Sequence, residues 1–322
     1  MMNKKQTLRV SYQNQNSWRE IQSFLPQGYQ LTDATMPKEE CWTWRENQIH
    51  LDVYRNPSAK AKVILFHGVG TNGRQMTTII GNPLAADGFE VIALDMPLYG
   101  ETAVSRNMTV TFSDWVACGN DYVSYELSRD DRPVFLYGLS AGGMETYFVA
   151  AKNRKVKGII GMTFLDQREK TVRMTTAKNW FWGTFGTALA ALSCHMGLSK
   201  FKMKMGVCAK MNTLCNDEKA LKAMLKDKTS AGNKVNMKFL SDYMTYIPEV
   251  EPEDFDVCPI LLTQPENDGW TPEFLSDIVL DKIKKTAVKK VKLRNGSHYP
   301  IEAEALEDLH QYILEFIIEN LE

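Results

Sequence analysis

Val134-Phe-Leu-Tyr-Gly-Leu-Ser-Ala-Gly-Gly143 is the stretch on which the fold turns. Val134 to Tyr137 is an unbroken apolar and aromatic run, short enough for a buried strand and too short for a helix. A G-x-S-x-G pentapeptide, Gly138 to Gly142, follows at once, and Met144 to Lys152 then reads as a helix. A strand that turns into a helix within so few residues leaves no room for a Cβ at either glycine, and it strains the serine between them. The turn lifts the Ser140 hydroxyl clear of the sheet, at a helix N-terminus whose free N–H groups favour developing negative charge. An ordinary Gly-Ser turn needs neither the strand nor the helix.

Working outward, Val63 to Phe66 is a second buried strand that runs into His67-Gly-Val-Gly-Thr-Asn-Gly73. Such a loop brings backbone N–H groups close to a ligand. It lacks the Lys-Ser/Thr of a phosphate-binding loop, so no nucleotide is expected. Arg74 to Ala86 reads as a helix interrupted at Gly81-Asn82-Pro83, Glu90 to Leu94 as a strand, Thr111 to Ser128 as a helix, and Gly158 to Phe164 as a strand. Glu40 to Arg45 and Gln48 to Tyr54 alternate as a hairpin. Cys258 to Thr263 and Val288 to Leu293 are further strands, and Ala303 to Leu321 is a helix with one apolar face. Strands alternating with helices predict an α/β fold, a mostly parallel central sheet flanked by helices. Residues 1–38 read as an N-terminal arm, with a short helix at Trp18 to Phe24. Residues 39–166 and 255–322 make the core. Residues 167–254, rich in aromatic, Met and Lys side chains and without a strand run, make a helical insertion after the sixth strand.

The chain has 322 residues, 44% of them hydrophobic, which is ample for a large core. A formal net charge of −1 gives no field to draw nucleic acid. No stretch is apolar for long enough to cross a membrane. Met1 to Asn16 are polar and hold no secretory leader, and six scattered cysteines read as free thiols, so a cytoplasmic location is expected. Cys194-His195 with Cys208 and Cys215 matches no zinc spacing, and neither metal nor cofactor is expected.

A serine nucleophile needs a base, and the base needs an orienting carboxylate. Of the five histidines, His298 stands in a Gly-Ser-His loop directly after the last strand, where it can face Ser140. His67 suits a backbone role, His50 lies in an early strand, His195 in the insertion and His310 in the final helix. Asp268, in the loop after the penultimate strand, is the candidate acid. An Asx turn at Asn267-Asp268-Gly269 is its structural alternative, and Glu266 and Asp166 are rivals.

In these residues the chain resembles the α/β-hydrolase superfamily, and within it the lysophospholipase, monoacylglycerol lipase and serine-aminopeptidase-like branch. The resemblance rests on His67-Gly68-Val69-Gly70, the elbow, Pro265-Glu266-Asn267-Asp268 and Gly296-Ser297-His298-Tyr299-Pro300, in that order. Pro265 replaces a customary Gly, and Met96 to Gly100 stands where the branch often has an Arg-Gly-His-Gly-like run. The resemblance implies a helical lid, an oxyanion hole made by the Val69 and Ala141 N–H groups, and the triad Ser140, Asp268 and His298. It implies acyl transfer.

The aromatic and Met side chains of the insertion, with Trp180, Trp182, Phe185 and Met196 as candidates, could line an acyl pocket or form the lid's own core. The interleaved lysines read as a solvated face rather than a contact with a phosphate or an acidic lipid surface. The expected substrate is a small ester or lipid-like molecule with a hydrophobic acyl group. Alternatives are a peptidase or thioesterase with the same triad, or a non-catalytic binding protein. An aminopeptidase would turn Glu249, Glu251 or Glu253 toward Ser140 to hold the substrate amine.

Overall fold

The structure is a computed structural model describing residues 11–321. The first ten residues of the expected arm and polar start lie outside the described residues, as does Glu322. The arm carries α1 (Ser17–Gln22) and leads into the hairpin β1 (Lys38–Trp44) and β2 (Asn47–Tyr54), joined at Arg45-Glu46. The remaining large-sheet strands are β3 (Lys62–Phe66), β4 (Glu90–Leu94), β5 (Val134–Gly138), β6 (Gly158–Gly161), β9 (Ile260–Pro265) and β10 (Val288–Leu293). Their order is β1-β2-β4-β3-β5-β6-β9-β10, with β1, β2 and β4 joined antiparallel and every later pairing parallel. Strands β3, β4, β5, β6 and β9 are buried from end to end, because helices cover both faces.

The helix after β3 is α2 (Gly73–Met76), a five-residue π turn (Thr77–Gly81) and α3 (Asn82–Ala86). The expected break at Gly81-Asn82-Pro83 is thus absorbed as a widened turn, because Pro83 sits at the start of α3, where its missing N–H costs little. Next come α4 (Phe112–Arg129), capped by the Thr111 side chain, and α5 (Ala141–Asn153) after the elbow. The chain closes with α10 (Phe274–Leu280) and α11 (Ala303–Glu319).

Between β6 and β9 the chain leaves the sheet. It forms α6 (Lys170–Thr176), α7 (Trp180–His195), β7 (Lys202–Lys204), α8 (Glu218–Lys226), β8 (Lys234–Asn236) and α9 (Met237–Tyr243). The expectation of an insertion without strands is corrected here, because β7 and β8 pair antiparallel. Each is three residues long, too short for a period to show in the sequence. The segment is tied to the core rim. Tyr299 N–H donates to Leu214 O at 2.7 Å, Gly100 N–H to Thr229 O at 2.9 Å, and Asn236 Nδ2 to Val110 O at 3.0 Å. No helix among the described residues is long and apolar enough to cross a membrane. All six cysteine thiols are free.

A buried ionic cluster joins the arm to the sheet. His50 Nε2 lies 2.8 Å from Glu39, and its Nδ1 lies 2.9 Å from Asp95. Tyr12 OH also donates to Asp95, which accepts from Gly73 N–H at 2.7 Å and Glu101 N–H at 2.9 Å. Burial alone would discharge the His50 ring. The hydrogen bond and charge of Asp95, then the hydrogen bond to Glu39 and the charge of Asp52, outweigh it and push its pKa up from 6.5 to about 10. The folded chain therefore keeps a proton that the unfolded chain releases between those values. The stabilisation is complete below about pH 6.5 and is lost as pH rises through about 10. Urea midpoints should fall across that window, and His50→Gln should flatten the fall. An equally steep fall in His50→Gln would assign it to other groups.

Candidate active site

Ser140 occupies the turn between β5 and α5 with φ 56° and ψ −120°, a left-handed backbone that side-chain-bearing residues rarely adopt. The neighbours enforce it. A Cβ at Gly138 would collide with the Gly142 carbonyl, and one at Gly142 would come within 2.6 Å of Phe66 O. The tight crossing of β5, α5 and the end of β3 therefore permits only glycine at both positions. Ser140 stands as N-cap of α5 and is 7% exposed.

The loop after β3 runs alongside. Neither Val69 N–H nor Ala141 N–H donates a hydrogen bond to any described residue. The Val69 carbonyl is turned away by Tyr99 OH, which donates to it at 2.8 Å. His67 holds the loop from below. Its Nε2 accepts from Met96 N–H at 2.9 Å, which leaves Nδ1 to donate to Gly68 O at 2.8 Å. Full burial holds the His67 pKa below its ordinary value, consistent with a neutral ring.

On the far side, His298 Nδ1 lies 2.8 Å from Asp268 Oδ2. Asp268 Oδ1 accepts from the Trp270 and Thr271 N–H groups, both at 2.8 Å, and Thr271 Oγ1 donates to Oδ2 at 2.6 Å. The Asx turn and the contact with histidine are thus two uses of one carboxylate, one per oxygen. Burial would raise the Asp268 pKa, but the nearby His298 and hydrogen bonds from His298 and Thr271 hold it below the ordinary carboxylate value. The rivals are engaged elsewhere. Asp166 pairs with Arg168 at 2.7 Å, and Glu266 accepts from Asn295 N–H at 3.1 Å. His298 is fully buried, and its Nε2 is free of any hydrogen bond to a described residue, Ser140 included. In unliganded sites such contacts often tighten only when substrate binds.

A cavity of about 760 Å³, its open mouth included, rises above Ser140. Val69, Ser140, Trp270 and Thr271 form its floor, and the inserted segment forms the rest, with Trp182, Met203, Met237, Leu240 and Arg173 among its lining. The expected lid candidates are corrected in part. Trp182 lines the cavity, whereas Trp180, Phe185 and Met196 lie outside it and are 65%, 43% and 68% exposed. The cause is helical period. Trp182, Gly186 and Ala190 recur every four residues along α7 and face inward together, and the two small residues open the space.

Comparison with known proteins gives a family. The family model described as serine aminopeptidase, S33, matches residues 57–302. The chain belongs to this family of α/β hydrolases. Comparison with curated proteins yields no sequence match. Among solved structures, the family fold is shared with a monoglyceride lipase from Saccharomyces cerevisiae in complex with a substrate analogue. The two are 13% identical with a TM-score of 0.71, over 90% of this chain and 97% of that one. A monoacylglycerol lipase from Paleococcus ferrophilus is 20% identical with a TM-score of 0.67, over 84% and 99%. A carboxyl esterase from Bacillus coagulans in complex with glycerol is 14% identical with a TM-score of 0.68, over 88% and 99%.

In this S33 chain, sequence reasoning missed the residues that brace the site. Thr271, Tyr99 and the Trp270 ring, whose centroid lies 4.8 Å from that of His298, carry no motif of their own. Their one available signal was proximity in sequence to Asp268 and to the loop after β4.

Proposed function

We propose that the chain is a serine hydrolase that cleaves carboxylic esters with a hydrophobic acyl group, with Ser140 as nucleophile, His298 as base, Asp268 as its orienting acid and the Val69 and Ala141 N–H groups as oxyanion donors. The observation that carries the reading is Ser140 in a strained elbow at the floor of an apolar cavity, with the His298–Asp268 pair adjoining that floor through Thr271.

Asp268 holds the proton of His298 on Nδ1, so Nε2 is left as the acceptor. Ser140 Oγ adds to the ester carbonyl carbon as its proton passes to Nε2. The carbonyl oxygen becomes an oxyanion between the two N–H donors, which are preorganised in a dry site, each worth about 3 kcal/mol in the barrier. Collapse expels the alcohol, which takes the proton from Nε2. Water then attacks the acyl-serine, gives a proton to Nε2 and releases the acid, and Ser140 regains its hydrogen.

A specific observation favours ester over α-amino substrates. Glu249 pairs with Lys152 at 2.5 Å, Glu251 with Arg168 at 2.7 Å and Glu253 with Lys282 at 3.8 Å, and none of the three lines the cavity. No carboxylate there would hold a substrate ammonium. The ester of a monoacylglycerol, the substrate type named for two of the similar structures, fits the same cavity chemistry. Free thiols support a cytoplasmic location.

A panel of p-nitrophenyl esters of rising chain length, run beside an aminoacyl anilide and an acyl thioester, tests the reading. The esters should be turned over with a preference for longer acyl groups. Faster cleavage of the anilide or thioester would move the chain to the peptidase or thioesterase class. Absence of Ser140 labelling by a fluorophosphonate would make it a binding protein. Asp268→Asn should lower kcat by about 10³- to 10⁴-fold, because the amide favours the wrong imidazole tautomer. A loss below about tenfold would remove Asp268 from the triad.

A further inference from the structure

We infer that Arg173 makes the cavity selective for anionic amphiphiles, esters that carry a carboxylate or phosphate besides their apolar chain. The inference rests on the reading of Ser140 as nucleophile. Arg173 lies on α6 and lines the same cavity as Ser140, among side chains that are otherwise apolar or neutral. Its Nη1 donates to Gln167 O at 2.8 Å and Arg168 O at 2.6 Å, which fixes the head against the cavity wall.

Its charge is unanswered. The buried or half-buried arginines among the described residues are Arg55, Arg74, Arg132, Arg168 and Arg173. The first four each have a carboxylate within ion-pair distance: Glu90, Asp52, Asp130 and Asp166 respectively. Arg173 has none among the described residues. A guanidinium on an apolar wall without a counter-charge costs free energy, and an anion seated in the cavity would remove that cost. The planar fork suits carboxylate and phosphate oxygens.

The surrounding chain has the same sign. Residues 170–216 hold seven Lys and Arg and no Asp or Glu, and Met203, Met205, Cys208 and Ala209 of that segment line the cavity. Although the whole chain is near neutral, this lining segment is locally cationic, and a local excess of cations concentrates anions nearby.

The anion can sit on the acyl chain or on the alcohol, and the test separates the two. The first pair is p-nitrophenyl decanoate against the p-nitrophenyl half-ester of decanedioic acid. The second is monodecanoylglycerol against its glycerol phosphate counterpart. In the wild type, kcat/KM should favour the anionic member of at least one pair by about ten- to a hundredfold. The pair that shows it locates the anion. Arg173→Gln should collapse the ratio toward unity, and Arg173→Lys should restore part of it. A preference for the neutral member in both pairs, or a ratio unmoved by Arg173→Gln, overturns the inference. If no ester is turned over, the nucleophile reading has failed instead, and binding of dodecyl phosphate against dodecanol to Ser140→Ala decides separately. Tighter phosphate binding that disappears in the Ser140→Ala, Arg173→Gln double variant supports the anion site, and equal binding sinks it.

Discussion

Ser140→Ala is expected to lower kcat for a p-nitrophenyl ester by about 10⁴- to 10⁶-fold, with KM nearly unchanged. The hydroxyl is the atom that bonds to substrate, and no other described side chain shares its position at the end of β5. The fold should persist. Ser140 Oγ makes no hydrogen bond to a described residue, and alanine meets the same left-handed backbone that serine already tolerates. The thermal midpoint should therefore move by no more than a surface substitution would move it. His298→Ala should be nearly as severe, and the double variant no worse than either single one, because groups that act in one proton transfer fail together. Burst kinetics and steady-state rates on the three variants check this. Multiplying losses would mean that the two residues act independently, and the acyl-enzyme mechanism would fall.

Arg74→Ala is expected to cost about 3–5 kcal/mol of stability. Arg74 is fully buried and grips Asp52 through two bonds of 2.5 and 2.8 Å. Its guanidinium also lies 4.6 Å from the Tyr12 ring centroid and 4.7 Å from that of Trp18, which seals the arm over it. Removing it leaves Asp52, Glu39 and Asp95 in the interior with His50 as the one cation among the described residues within ion-pair distance of all three. Urea unfolding at neutral pH reads the loss, which should narrow as the pH falls into the carboxylate range and the orphaned acids take up protons. Because Asp95 also accepts from Gly73 N–H, just beyond the loop that carries Val69, kcat should fall too. A loss under 1 kcal/mol would mean that water reaches the cluster.

The sheet was legible because burial on both faces demands continuous apolar strands, and runs such as Val63 to Phe66 and Val134 to Tyr137 can hardly be anything else. The elbow was legible for a steric reason, since two glycines about a serine at a strand-to-helix turn answer a local collision. The family followed from four such loops in order. The buried cluster was not legible. Glu39, His50, Asp52, Arg74 and Asp95 are each unremarkable in sequence, and their meaning comes from antiparallel pairing that brings β2 beside β4 and sets α2 above them. Nor was the inward face of α7, where choosing Trp182 over Trp180 required knowing what the helix packs against.

By itself, then, the sequence determined what depends on neighbours along the chain: strand, turn, helix, and the order of serine, aspartate and histidine. Only the tertiary structure decided which charges share a dry interior and which half-buried arginine has no counter-charge among the described residues. Those facts depend on distances between segments far apart in the chain, and the cost of an unpaired charge exists only once folding has removed the water.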